Sequence, residues 1–129
     1  MTPLSFVLVA LGGAIGSVLR FLVATFAPRV FGQAFPYGTF IVNVLGCFMI
    51  VVVMTVALQT TLIGTSFRVF LTTGVMGGFT TYSSFNYETL ALANERQWVT
   101  AAMNLGFTVV TCLFAGILGQ VVGRMLVPP

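Results

Sequence analysis

Four long apolar stretches take up most of this chain of 129 residues and limit what it can fold into. They run roughly over residues 4–27, 37–58, 67–92 and 99–125, and short turn-forming segments separate them. An α-helix rises about 1.5 Å per residue, so about 20 apolar residues cross the hydrocarbon core of a bilayer. The sequence therefore predicts an all-α membrane protein with four transmembrane helices, each antiparallel to the next, in one domain over residues 1–129.

Charged residues make up only 5% of the chain, against about 25% in a typical soluble domain. So little charge cannot cover a surface exposed to water, and the short connections leave no room for a soluble catalytic domain, so we do not expect an enzyme. The formal net charge of +3 is scattered along the chain and predicts no nucleic-acid partner. The first stretch lacks the basic segment of a secretory signal, and we interpret it as a retained span.

Two cysteines, Cys47 and Cys112, lie inside apolar stretches, and the sequence has no histidine. Free cysteine often packs as a small buried hydrophobe, so we expect neither a disulfide nor a metal pair from them. The sequence has no cluster of cysteine, histidine and carboxylate residues, which excludes the usual transition-metal sites.

The arginines, which are the only basic residues, are almost evenly divided between the two sides of the predicted bundle. Arg29 and Arg96 fall on one side and Arg68 and Arg124 on the other, while Arg20 lies inside the first span, toward the Arg29 side. Orientation normally follows an excess of Lys and Arg on the cytoplasmic side, and here that excess is close to nil. We predict a dual-topology protein that pairs as an antiparallel homodimer; the alternative is that another protein imposes one topology.

Two predicted spans carry polar residues along one face at i, i+4 and i+7 spacing. Polar groups are costly in hydrocarbon and mark functional sites by default, so these stripes are typical of walls of a hydrated track. The alternative is hydrogen bonding between helices, which Thr and Asn often provide; for Asn43 we favour the track. The stripes are Thr39, Asn43 and Gly46 in the second span, and Asn104, Thr108 and Thr111 in the fourth.

Close-packing pairs of glycines occur in the first and fourth spans. Gly12 and Gly16 form one small-xxx-small pair, and Gly119 and Gly123 form the other. Packing within one chain and contact between two chains remain equally open for both pairs.

The third span contains the segment "GGFTTYSSFNYE" over residues 77–88, which is the most polar part of any span. Glycines at 74, 77 and 78 weaken the helix, and the hydroxyls that follow can satisfy freed backbone groups, so we predict a break near the midpoint. Broken helices are tolerated at membrane depth where they are buried in protein or line a cavity. Loose carbonyls at such a break often bind ions and suit a hard cation such as sodium.

Three aromatic residues spaced by three, Phe79, Tyr82 and Phe85, accompany the break. The alternative interpretation is core packing, but ring edges are positive and can face an anion without binding it tightly. The only carboxylates, Glu88 and Glu95, fall toward the end of the third span or its loop. Hydrogen-bond donors, ring edges and the buried Arg20 together favour an anion as the transported ion.

The chain resembles the Fluc (CrcB-like) fluoride channels over essentially its whole length. The resemblance rests on "GGAIGSVLRF", "YGTFIVNVLGCF" and "GVMGGFTTYSSFNYE", in this order within a four-span chain. It implies a passive fluoride channel in the bacterial inner membrane, formed as a dual-topology homodimer with two antiparallel pores. It also implies a structural sodium ion at the dimer centre, held by the carbonyls of Gly77 and Thr80 of each protomer.

The same resemblance assigns the anion pathway residue by residue. It places a phenylalanine box at Tyr82 and Phe85, where Tyr82 replaces a phenylalanine of the family pattern, as Ser84 replaces a threonine. The other assigned residues are Asn43, the hydroxyls of Thr81, Ser83 or Ser84, the fourth-span stripe with Asn104 and Thr108, Arg20, and Glu88. The polar stripe of the second span adds Thr39 to the predicted anion pathway.

Fluoride efflux is therefore the expected function. A small dual-topology multidrug or cation transporter is the alternative, although such exporters need a membrane-embedded glutamate. A membrane subunit without transport activity, in which the polar stripes only pack, is a third hypothesis.

Overall fold

The computed structural model describes residues 2–128, and each regular element in that range is helical. Helices α1, α2 and α6 are long and apolar enough to cross a membrane, which confirms an all-helical membrane protein and three of the predicted spans. The remaining predicted span is divided into several pieces. The elements are α1 (Pro3–Phe31), α2 (Tyr37–Gln59), α3 (Thr65–Val69), a π-helical segment (Phe70–Met76), α4 (Gly77–Phe79), α5 (Tyr82–Asn94) and α6 (Trp98–Met125).

Helix α1 is longer than the sequence predicts, because it continues through Pro28 to Phe31. From its sequence, this proline is expected in the connection to the second span. A proline removes one helical hydrogen bond, and here it does so only one turn before the helix ends. Gly32 ends the helix with φ of 87°, and its amide donates to the carbonyl of Pro28 at 3.0 Å.

The glycines of α1 and of the third segment bring two backbones into close contact. A Cβ at Gly12 would lie 2.7 Å from the carbonyl oxygen of Phe70, and one at Gly78 would lie 2.5 Å from that of Gly13. Gly77, in the same run, has helical φ and ψ of −61° and −39°. Gly74 and Gly78 therefore permit close packing on α1. The sequence suggested that the glycines weaken the helix, but none of them forms the break.

Helices α2 and α6 lie side by side and run in the same direction. The rings of Phe40 and Phe107 stack 5.2 Å apart near their N-terminal ends. Further along, a Cβ at Gly119 would meet the carbonyl oxygen of Phe48 at 2.5 Å, and Gly123 lies against Thr55. Both residue numbers rise together along the contact, so the two helices are parallel.

Both small-xxx-small pairs thus take part in packing within the chain. Gly16 packs against the carbonyl of Val75, as Gly12 does against Phe70. Gly119 and Gly123 pack on α2. Of the two alternatives, packing within one chain is the one that the contacts support.

The third helix breaks at Thr80 and Thr81, which confirms a broken helix. Helix α4 ends at Phe79 and α5 begins at Tyr82. Between them Thr80 has φ −83° and ψ 159°, and Thr81 has φ −152° and ψ 111°, which is extended backbone. The π-helical turns just before the break, over Phe70–Met76, have no counterpart in the sequence prediction; such turns often occur near functional sites.

Candidate functional site: two cavities at the helix break

The side chain of Asn43 holds the broken backbone in place. Its Nδ2 donates to the carbonyl oxygen of Thr81 at 3.0 Å, and its Oδ1 accepts from the amide of Thr81 at 2.8 Å. One amide side chain on α2 thereby pairs both backbone groups of a residue that has left the helix. Unpaired backbone groups are costly inside a protein, so this contact stabilises the break.

The backbone carbonyls of Gly77 and Thr80 lose their helical hydrogen bonds at the break. In an α-helix their partners would be the amides of Thr81 and Ser84, four residues on. The amide of Thr81 instead donates to Asn43, and that of Ser84 donates to Oγ1 of Thr81 at 3.1 Å. Both carbonyls thus lose their ordinary helical partner, and neutral carbonyl oxygens are ligands that a hard cation accepts. These two carbonyl oxygens are therefore ligands of the type that a sodium ion accepts.

Hydroxyl groups cluster at the first turn of α5. Oγ1 of Thr81 lies 3.0 Å from Oγ of Ser84 and 3.3 Å from Oγ of Ser83. Thr81 is buried, whereas Ser83 is exposed. The threonine also caps α5, so its position is set by the same contacts that start the helix.

A cavity of about 490 Å³ lies between α2, α6 and the broken segment. We call it the large cavity. Its walls combine aliphatic side chains, two thiols and several of the residues that the sequence predicts in the anion pathway or cation site. Those residues are Asn43, Gly77, Thr80, Thr81, Tyr82, Phe85 and Thr108.

A second cavity, of about 290 Å³, lies between α1, α2 and α5. Its lining includes Arg20, Thr39, Thr81, Ser84 and Glu88. We call it the polar cavity. Thr39 donates to Oε1 of Glu88 at 2.7 Å. Among the residues described, Nε of Arg20 and Oε2 of Glu88 are buried without a hydrogen-bond partner. The polar cavity therefore holds one cationic and one anionic side chain with spare hydrogen-bonding capacity.

Thr81 lines both cavities. It therefore lies between Arg20, in the polar cavity, and the rings of Tyr82 and Phe85, in the large cavity. Asn43 fixes its backbone by two hydrogen bonds. The break thus brings a buried hydroxyl to the place where the two cavities adjoin.

The three aromatic residues of the break have different environments. Phe79 is buried next to α1 and α2 and lines neither cavity, as core packing predicts. Phe85 is also buried, with 6% of its surface exposed, but it lines the large cavity. Tyr82 is 81% exposed, and its ring centroid lies 5.8 Å from that of Phe85, at an interplanar angle of 50°.

The fourth-span stripe is divided between packing and cavity wall. Asn104 is 1% exposed, donates to Oγ1 of Thr89 on α5 at 2.9 Å, and accepts from Thr108 at 3.2 Å. It lines neither cavity, nor does Ser83, whereas Thr108 lines the large one. The contacts of Asn104 are those of the alternative interpretation, a hydrogen bond between helices.

Sequence reasoning missed two features of the site. Glu88 lies in the middle of α5, toward the end of the third segment as predicted, but its hydrogen bond to Thr39 on α2 was not foreseen. Cys47 and Cys112 line the large cavity. Their spacing could have revealed this, since each follows a stripe residue by four positions and so shares its helix face.

Comparisons with known proteins agree with the resemblance. The model of the family described as CrcB-like protein, Camphor Resistance (CrcB), matches residues 7–120. A protein of Sorangium cellulosum is 46% identical over 119 residues, which are 92% of this chain and 94% of that protein. One from Anaeromyxobacter sp. strain K is 50% identical over the same shares, and one from Geobacter metallireducens is 43% identical over 95% of this chain and 99% of its own.

Each of these three relatives bears the name fluoride-specific ion channel FluC, which describes a channel and not an enzyme. The family match covers residues 7–120, which is well over half of the chain and includes the helix break and the residues that line both cavities. The chain belongs to the CrcB family.

Proposed function

We propose that this protein is a fluoride channel that lets fluoride leave a bacterial cell passively across the inner membrane. Family membership and the names of the relatives support a channel for this ion. The observation that carries the proposal is the series of donors along two adjoining cavities, which meet at the buried hydroxyl of Thr81.

Fluoride is small and strongly hydrated, so a pore must replace its water with hydrogen-bond donors. In our proposal Arg20 raises the local anion concentration in the polar cavity. The hydroxyls of Thr81 and Ser84 then replace water molecules at the break. Beyond them the ring edges of Phe85 and Tyr82 bind the ion more weakly, which allows it to leave. Donors present before the ion arrives reduce the cost of dehydrating it.

The remaining residues of the pathway have supporting roles. Asn43 positions Thr81 by pairing its backbone, and Thr108 provides a hydroxyl on the opposite wall of the large cavity. Thr39 engages one oxygen of Glu88, which weakens the repulsion of that carboxylate for a passing anion. Ser83 and Asn104 stay predicted members of the pathway, and their positions outside the two cavities favour an indirect role.

The direction of the helices supports four membrane crossings. In our proposal the chain between Gln59 and Trp98 returns across the membrane, because α2 and α6 are parallel neighbours. The segment from α3 to α5 is then the third of four spans, which make up one transmembrane domain. The even division of the arginines supports insertion in both orientations.

An antiparallel homodimer would complete the pathway. Gly77 and Tyr82 are exposed on the same side of the break, and Tyr82 leaves most of its surface uncovered. A second copy at this surface would close the large cavity of each protomer and so form two pores. Reporter fusions at the C-terminus test the topology: reporters for both compartments should be active, and activity in only one would contradict dual insertion.

The freed carbonyls of Gly77 and Thr80 would hold a sodium ion at the centre of that dimer. Such an ion supplies positive potential near both pores and joins the two copies. Replacing sodium by a large organic cation on both sides of the membrane should lower fluoride flux and weaken the dimer. Unchanged flux and unchanged dimer would remove sodium from the proposal without affecting the pathway.

Fluoride efflux from liposomes is the direct test. Purified protein should release fluoride far faster than chloride from matched vesicles, and protein-free vesicles should release neither. Equal rates for the two ions would defeat the proposal. A rate of only tens to hundreds of ions per second would indicate a carrier. A carrier changes conformation in each cycle, and turnover numbers of enzymes, which are limited in a similar way, lie between about 1 and 10³ per second.

One observation favours the transporter alternative. Glu88 is a partly buried carboxylate within the third span, which is the kind of residue that a proton-coupled cation exporter requires. Such an exporter would move organic cations against a gradient when protons flow the other way, and it would release no fluoride. The same vesicles, loaded with a cationic dye, distinguish the two functions.

A further inference from the structure

The two cysteines of the chain lie side by side on the contact between α2 and α6. Cys47 lies on α2 and Cys112 on α6, and both line the large cavity. One helical turn further along the same contact, a Cβ at Gly116 would meet Cγ2 of Val51 at 3.7 Å, so the two cysteines occupy facing positions of the two helices. The parallel contact explains this, because they lie between the Phe40–Phe107 stack and the packing of Gly119 on α2. Sequence alone suggested two unrelated small hydrophobes.

Both thiols are also accessible from one space. Each cysteine is free, each is partly exposed, and both line the large cavity. Two neighbouring thiols on parallel, closely packed helices form a preorganised pair, so a ligand that takes both sulfurs loses little entropy on binding the second.

We propose that Cys47 and Cys112 form a two-coordinate site for a soft, thiophilic divalent cation, of which Hg²⁺ is the clearest example. Soft thiolates select soft metal ions, and linear coordination by two sulfurs needs no further ligand. Each thiol gives up one proton, two sulfur–metal bonds form, and the adduct is neutral. No electrons are transferred.

The surroundings of the pair predict its selectivity. Zinc prefers four ligands, and in residues 2–128 no group of three or more Cys, His, Asp or Glu side chains is placed to supply them. A monovalent soft ion such as Ag⁺ would leave a net negative charge on two thiolates, next to apolar wall residues such as Ile50 and Leu113. The expected order of affinity is therefore Hg²⁺, then Ag⁺, then Zn²⁺.

Binding at this pair would affect transport, a consequence that rests on the proposed function. Asn43 precedes Cys47 by about one helical turn, and Thr108 precedes Cys112 by the same distance. A metal ion between the sulfurs would lie in the same cavity as both polar residues and obstruct the path past them.

Titration of the purified, full-length protein with Hg²⁺ tests the site without measuring transport. The ultraviolet absorption of the thiolate–mercury bond should saturate at one metal ion per chain, with two protons released. Cys47→Ser and Cys112→Ser are matched variants, each of which keeps one thiol, and each should lose affinity by about 100-fold or more. Two metal ions per chain, or variants that bind as tightly as the wild type, would overturn the proposal.

A thiol count before the titration and a flux measurement after it complete the test. Two reactive thiols are expected under reducing and under ambient conditions; their loss under ambient conditions alone would indicate a disulfide and overturn the metal site. Hg²⁺ should stop fluoride efflux in the wild type, a dithiol chelator should restore it, and both serine variants should resist. A protein that binds Hg²⁺ as predicted but never transports fluoride would defeat only the proposed function.

Discussion

The two cavities adjoin at Thr81, yet their walls differ in the forces that they offer to an ion. The polar cavity has the guanidinium of Arg20, the carboxylate of Glu88 and hydroxyl groups. The large cavity has aliphatic side chains, thiols and the rings of Tyr82 and Phe85, with few polar groups among them. One attracts an anion by full charge, whereas the other can hold it only by weak dipoles.

The difference suggests that the polar cavity captures the ion and the large cavity releases it. A full charge in a low-dielectric setting attracts strongly and falls off slowly with distance, so it suits capture. Ring edges and single hydroxyls bind weakly, so they suit release. Conduction needs both, because an ion must enter readily and also leave.

Asn43→Ala should have the largest effect, because this side chain determines where the two cavities meet. It leaves the amide and carbonyl of Thr81 unpaired, at about 1 to 3 kcal/mol for each buried group. We expect a lower unfolding temperature in detergent and a loss of fluoride efflux of about 100-fold, which corresponds to about 2.7 kcal/mol.

Asn104→Ala is the matched control for that change, since it also removes a buried amide that joins two helices. It should lower the unfolding temperature but reduce efflux only about threefold or less, which is under 1 kcal/mol. Full loss of efflux with unchanged stability would place Asn104 in the pathway, as the sequence predicts. Asn43 and Asn104 would then no longer differ in their effect on transport.

Arg20→Gln should have an intermediate effect that depends on salt. It removes the positive charge of the polar cavity and leaves Glu88 there alone, so efflux should fall by about 10-fold at low ionic strength, within the range of electrostatic steering. The deficit should shrink as salt is added. Arg20→Lys keeps the charge and should retain most of the rate; an equal loss in both variants would assign the role to guanidinium geometry instead.

Tyr82→Phe should have the smallest effect. It removes only a hydroxyl from a ring that is 81% exposed in the single chain, so we expect a change in efflux of about two- to threefold, well under 1 kcal/mol. Phe85→Ile, in the same cavity, removes a buried ring edge and should change the rate more, with the dimer intact in both. If neither variant altered the rate, the ring-edge assignment would be wrong.

The membrane helices and the break could be predicted from sequence because their causes are local. A run of apolar residues partitions into lipid by its own composition. Likewise, consecutive hydroxyl residues such as Thr80 and Thr81 can end one helix and cap the next. The end of α1 was predicted wrongly because Pro28 was taken as a local stop signal. A proline near a helix terminus removes too little hydrogen bonding to decide where the helix ends.

The site was only partly predictable, because residue spacing defines a helix face but not the neighbour that covers it. Thr108 and Asn104 share one face of α6, yet one lines a cavity and the other bonds to Thr89. The role of Gly74 and Gly78 was also misjudged, since their closest neighbours are Gly12 and Gly13 on α1, more than 60 residues earlier in the chain.

Sequence by itself determined that this chain lies in a membrane, that its third span is interrupted, and which residues can donate hydrogen bonds there. Tertiary structure alone decided that Asn43 pairs with Thr81, that Thr81 lies between two cavities, and that Cys47 and Cys112 line the same cavity. The physical reason is that hydrophobic partition acts on each segment separately. Contacts between side chains depend on the rotation and register of whole helices, which only their mutual packing sets.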